Sequence, residues 1–349
     1  MKCEHDTRKK LTLTADHPDA DHIGAGDSYD FVSQMGGYDL CAFAHVTPKR
    51  NGRHLITIPQ TAHPSIQTDA DILGWLVALA QESPVAGGLL SHAMNAGWRV
   101  MFSDLDNGSY ELDVLDQRLE LDHHGVNPSA LIRSPYFRHE LLTSFLQGLR
   151  AIWHEDMSGE TIDQLRPDGF LMAARARQAD IVTTTLLMAW ELRASGYGDL
   201  WRHIIGSEDG DMALVFTRTL ERDPSAIYSG LAMARAYVAW YQQPSRIAVC
   251  DHAALEYLDA VIAEDGAQAL GHRSFTVDMA ERLTSLPDNA GYMKDRGHEI
   301  INKPDFCAFQ DPINEAHLFQ VMYDSRVVNR GGVPFRDTKL ARLIFPDSE

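Results

Sequence analysis

The stretch SPYFRHELLTSFLQGLRAIW, residues 134–153, decides the fold class. Ser134-Pro135 is a helix start: a hydroxyl side chain at the cap, and a proline where the first backbone N–H needs no partner. Leu141, Leu142, Phe145, Leu146, Leu149, Ile152 and Trp153 then recur at helical spacing and form one apolar stripe. Downstream the same period continues. Pro167-Asp168 opens a helix carrying Leu171, Met172, Ile181, Met188 and Leu192, and Gly196 ends it. Further helices are expected near Asp209–Arg222, Ser225–Gln242 and Asp251–Glu264, with Pro224 and Pro244 as separators, and one around Asn314–Val328.

Upstream the period changes. Thr68 with Asp71 three residues on forms a capping pair before Ile72, Leu73, Leu76, Val77 and Leu79. Ser83-Pro84 starts a second helix, which stops at Asn95-Ala96-Gly97. Trp98–Phe102 then reads as a strand, and Tyr110, Leu112, Val114, Leu119 and Leu121 alternate with polar residues around a turn near Asp116-Gln117. Leu55–Ile58, stopped by Pro59, reads as another short strand. The fold class is therefore α+β and predominantly helical: a small antiparallel sheet near residues 98–122 followed by a multi-helix core. Residues 1–28, polar and crowded with Asp and His, are expected to be a flexible tail. Residues 29–265 are expected to form the core domain, and 266–349 a C-terminal extension packing on it.

Composition excludes several function classes. The formal net charge is −18, and an acidic surface repels phosphate backbones and anionic lipid, so neither nucleic acid nor membrane is an expected partner. No run approaches the ~20 apolar residues of a membrane span. The basic cluster Arg8-Lys9-Lys10 is not followed by the apolar stretch of an export signal. The four cysteines, Cys3, Cys41, Cys250 and Cys307, are far apart and form no CxxC pair, which fits thiols in a reducing cytoplasm. No Gly-x-Gly-x-x-Gly, Walker loop or Gly-x-Ser-x-Gly elbow occurs.

The sixteen histidines turn attention to metal chemistry. On a helix, His-Glu-x-x-His places two imidazoles on one face to grip zinc, with the Glu as general base. Here the stretch is His139-Glu140-Leu141-Leu142-Thr143: the first His and the Glu are present, and a threonine stands where the second imidazole belongs. His154-Glu155 and His298-Glu299 lack a His four residues on. Asp122-His123-His124-Gly125, at the end of the strand pair, is the one other His/Asp cluster placed to join a site with His139. Asp251, His252, Glu256 and Asp259 lie on nearly one helix face that could hold a metal, but an Asp cap on a helix with an exposed first turn is the preferred explanation. The acidic turn Gly206–Asp211 lacks the ligand spacing of a calcium loop.

Between about Trp98 and Asp259, somewhat under half of the chain, several blocks are distinctive. They are Tyr136-Phe137-Arg138, Arg177-Gln178-Ala179-Asp180, Ala189-Trp190-Glu191-Leu192-Arg193, Leu200–Ser207, Glu221-Arg222-Asp223-Pro224, Ala239-Trp240-Tyr241 and Asp251-His252. In these blocks the chain resembles a bacterial family of metallopeptidase-like proteins, a domain of unknown function. The resemblance implies a zinc-dependent peptidase scaffold with a His-Glu-x-x-His helix and a later acidic ligand. Carried over residue by residue, it makes His139 a metal ligand and Glu140 the catalytic base. A later Glu-Ala-Asp element falls at Gln178-Ala179-Asp180, so Asp180 contributes to the metal, with Gln178 in place of the acid. Thr143 and Gln178 make the motif degenerate: either catalysis is lost and the scaffold kept, or the metal is held elsewhere. In the enzyme reading, a sheet edge holds an extended peptide by strand addition. The alternative is a non-enzymatic helical protein that binds a protein partner or self-associates. The two differ in whether His123, His124 or His154 reaches His139.

Overall fold

A side-chain cap or a proline at the first position marks most helix starts in the computed structural model, which describes residues 37–43, 66–105, 108–288, 291–325, 328–330 and 333–335. A two-residue strand β1 (Tyr38–Asp39) is followed by α1 (Asp69–Ala80) and α2 (Pro84–Ala96), then β2 (Arg99–Ser103), β3 (Tyr110–Asp113) and β4 (Arg118–Asp122). The helices α3 (Pro128–Arg133), α4 (Pro135–Asp163), α5 (Pro167–Ala194), α6 (Asp199–Ile205) and α7 (Gly210–Arg222) come next. After them run α8 (Leu231–Trp240), α9 (Pro244–Asp265), α10 (Val277–Leu283), α11 (Gly297–Asn302), α12 (Pro304–Cys307) and α13 (Pro312–Asp324). A small hairpin of β5 (Val328–Arg330) and β6 (Val333–Phe335) closes the described chain. Thr68 and Asp71 form the expected reciprocal capping box, and Ser83 accepts from Ala86 N above Pro84. Gly97 ends α2 at φ 84°, a left-handed conformation that glycine adopts without strain. The expected strand Leu55–Ile58 and the tail 1–28 lie outside the described residues.

The predominantly helical α+β architecture is as the sequence indicates, but the sheet is mixed. Its order is β1-β2-β4-β3. β1 runs antiparallel to β2, and β3 antiparallel to β4, whereas β2 and β4 are parallel, with Val100 opposite Leu119 and Ser103 opposite Asp122. The antiparallel expectation for residues 98–122 therefore holds for the β3–β4 hairpin and fails for its join to β2. A period of two marks a strand without naming its neighbour. Here β4 returns between β2 and β3 and becomes an interior strand, with Leu119, Glu120, Leu121 and Asp122 all buried.

The chain divides into two compact units. The described residues of the first lie within 1–155 and 181–214, and those of the second within 156–180 and 215–349. In the first unit, α4 lies against β4 so closely that a Cβ on Gly148 would sit 2.5 Å from Leu119 Cδ1. In the second, α5 carries Arg175, whose Nε and Nη2 donate to Asp251 at 2.5 and 2.6 Å, while Nη1 donates to the Phe306 carbonyl at 3.0 Å. Both partners are essentially fully buried. Asp251 is thus no helix cap: α9 begins at Pro244, and Asp251 sits inside it as the counter-charge of Arg175. His252 and Glu256, one turn apart at 3.3 Å, remain exposed. The last helix, α13, stops at Asp324, short of Val328. Among the described residues no helix is long and apolar enough to cross a membrane.

Two outcomes follow from this packing. Gly148→Ala will destabilise the protein in chemical denaturation, although alanine in a helix interior ordinarily gains about 1 kcal/mol over glycine; an increase in stability would mean that the α4–β4 contact gives way freely. Asp251→Ala strands a buried guanidinium, and the midpoint of urea unfolding will fall by an amount corresponding to about 3–5 kcal/mol.

Candidate active site in the first unit

Parallel strands end side by side at the same edge. Because β2 and β4 are parallel and Ser103 faces Asp122, the residues that leave them, Asp104 and His123, emerge together. Asp104, Asp122 and His123 each offer a ligand atom, and these atoms lie within 4.8 Å of one another. Among the described residues this is the group of three metal-type donors that converges so tightly. Asp122 is buried, and its oxygens accept from His124 N at 2.8 Å and Gly108 N at 2.7 Å. Across from it, burial raises the Asp69 carboxyl at the start of α1, with His123 pulling the other way.

The turn after β4 leads to the start of α4. His124, at φ 56°, packs against Phe137 with the rings tilted and their centres 5.0 Å apart. Burial lowers the His124 imidazole below its ordinary value, against the opposing charges of Asp122 and Glu140. The Asp122–Gly125 cluster and the His139-Glu140 helix therefore do meet, as their order along the chain suggests.

His139 and Glu140 occupy the second turn of α4. His139 is buried, and its Nε2 has no hydrogen-bond partner. Its ring lies 5.4 Å from that of His203 on α6 and 6.1 Å from that of Tyr197. Burial, with the neighbouring His203 and Arg138, pushes its pKa down to about 4, so it is a neutral imidazole with a lone pair at neutral pH. Burial raises the Tyr197 hydroxyl to about 12 and keeps it protonated.

Glu140 is the anion of the site. Burial alone would raise its carboxyl; the hydrogen bond and charge of His203, then His124 and the Tyr136 hydroxyl, outweigh burial and leave it below the usual carboxylate range. The His203 Nε2 to Glu140 Oε1 separation is 3.0 Å. Tyr136 is exposed, its ring edge-on to His203 at 5.7 Å.

Thr143 does not take the place of the missing histidine: its hydroxyl donates to the His139 carbonyl at 2.9 Å, the usual back-bond of a threonine inside a helix. Asp180 belongs to the second unit, where Tyr292 Oη donates to its Oδ1 at 2.6 Å. His154 is buried further along α4. The residue that spacing from His139 did not single out is His203. The signal for it was present, since Leu200–Ser207 is one of the distinctive blocks, but no local motif ties it to His139.

Residues 139–293 match a family model described as "Putative metallopeptidase family (DUF6782)". The match begins at His139 and takes in Glu140, Asp180 and His203. No curated protein matches the chain, and no solved structure does.

The His203–Glu140 pair has a direct readout. In metal-free His203→Ala protein the cause that lowers Glu140 most is gone, so its pKa will rise from its value in the wild type. Carbon-13 NMR of labelled glutamate carboxyls measures this; an unshifted Glu140 titration would mean that His203 does not hold the anion.

Proposed function

We propose that the protein is a metal-dependent hydrolase of the peptidase type, with its reaction centre at the start of α4. The observation that carries this reading is the pairing, on adjacent residues, of a buried neutral imidazole lacking a partner with a carboxylate kept charged. A metal ligand must be an unprotonated imidazole, and a general base must be an anion within reach of water. His139 and Glu140 meet those requirements separately. The family described for residues 139–293 supports the same chemistry.

The donor set fits a divalent metal. His139 Nε2 is a polar atom that burial leaves unpaired, and such an atom costs about 1–3 kcal/mol unless something binds it. Asp104, Asp122 and His123 add oxygen and nitrogen donors to the same unit. Zinc suits imidazole with carboxylate, and it is the metal we assign. When bound, such an ion polarises a carbonyl and acidifies water.

The chain's own residues supply the rest. The Glu140 carboxylate accepts the proton of the attacking water and passes it to the leaving amine. The Tyr136 hydroxyl holds the Glu140 carboxylate and helps fix which of its oxygens faces that water. Tyr197 stays protonated and serves as a hydrogen-bond donor. The exposed Tyr136 offers an aromatic face beside Glu140, in keeping with a peptide as the substrate.

The test begins with elemental analysis of tagless protein purified without chelator or added metal. Near-stoichiometric zinc, lost in His139→Ala, is the expected result. Glu140→Gln should keep the metal and lower peptide-cleavage kcat by about 10²–10⁴-fold. Absence of any transition metal, with no thermal shift on adding zinc, would overturn the reading and return attention to protein partners.

A further inference from the structure

Resting on that reading, we infer that His203 supplies the second imidazole ligand, in the place that Thr143 cannot fill. A metallopeptidase helix normally brings both imidazoles from one face, at i and i+4. Here the i+4 position ends in a hydroxyl committed to the helix backbone, so it has neither the donor nor the freedom to turn outward. The space beside His139 is occupied instead by an imidazole from another element. α6 ends at Ile205 and carries His203 on its last turn, half-buried, with its ring centre 5.4 Å from that of His139.

That separation is compatible with a shared ion. A metal held about 2.0–2.1 Å from each nitrogen lies about 3.2 Å from each ring centre, which at a tetrahedral angle puts the centres about 5.2 Å apart. The buried His139 Nε2 lacks any partner, so the pair is not explained as a hydrogen bond between the rings. An aliphatic side chain at residue 203 would fill the same space without a second imidazole to desolvate.

The metal-free structure holds His203 Nε2 against Glu140 Oε1. Metal binding exchanges that partner: His203 turns its Nε2 from the carboxylate to the ion, and Glu140 is released to face water. The two roles of Glu140, hydrogen-bond acceptor for His203 in the empty protein and base in the loaded one, are therefore mutually exclusive. The device also accounts for the tolerance of threonine at position 143: the ligand has moved to a different helix, and the helix that carries His139 and Glu140 keeps its own face.

Cobalt(II) titration followed by visible absorption tests this on the full-length protein, with thermal shift as the fold control. Wild type and Thr143→Ala should give the same tetrahedral cobalt spectrum. His203→Ala should weaken cobalt binding by more than about 100-fold, beyond the 10–100-fold that losing an outer hydrogen-bond partner of a ligand costs. His203→Cys should bind cobalt and add a sulfur-to-cobalt charge-transfer band in the near ultraviolet, which arises only if residue 203 touches the ion. Cobalt binding that His139→Ala abolishes, with His203→Ala binding normally and His203→Cys showing no such band, overturns the assignment of His203 and leaves the hydrolase reading standing. Failure of the wild type to bind cobalt or zinc overturns both.

Discussion

Helix α4 is pinned to strand β4 at two points, and the site depends on that. One is the bare Cα of Gly148 over Leu119; the other is the packing of Phe137 against His124. Between them the helix advances eleven residues, about 16 Å at 1.5 Å per residue. From Leu119 the strand runs three residues on to Asp122 and then turns at His124. Both contacts set α4 against β4 and the turn that follows it. A side chain at residue 148 would lift the helix and draw His139 and Glu140 away from the strand ends.

That alignment turns a structural contact into chemistry. The strand ends deliver Asp104, Asp122 and His123 because β2 and β4 are parallel, and the helix start delivers His139 and Glu140 alongside His124. α6 then adds His203. The resulting electrostatics are divided: His139 is driven neutral by burial, while Glu140 is held ionised by the groups around it. Both groups are shifted downward, and the same direction leaves the imidazole uncharged and the carboxylate charged.

The second unit uses its buried polar groups differently. Arg175 and Asp251 neutralise each other, with the carbonyls of Phe306 and Ala308 taking the remaining guanidinium protons. Asp180 is engaged by Tyr292, and Tyr237, Tyr241 and Phe306 pack around one another. A pair so fully matched contributes specificity of packing, because removing either partner leaves the other charged and dry. In the distinctive sequence blocks at Arg177–Asp180 and Asp251-His252, the residues Arg177, Ala179, Asp180 and Asp251 therefore belong to the core of this unit, while His252 stays exposed.

Local order was legible in the sequence because its causes are local. Caps at Thr68 and Ser83, prolines at the first turns, the apolar stripe from Leu141 to Trp153 and the left-handed glycine at residue 97 each act within a few residues. The same holds for His139-Glu140 and for the proximity of the Asp122–Gly125 turn, which follow from order along the chain. The parallel join of β2 to β4, the burial of Asp251 against Arg175 and the arrival of His203 beside Glu140 could not be read that way. Each is a pairing between distant segments, and neither a period of two nor a helix face names its partner. Only the packed chain brings them together, since burial fixes which charges must find each other and strand order fixes which ends lie side by side.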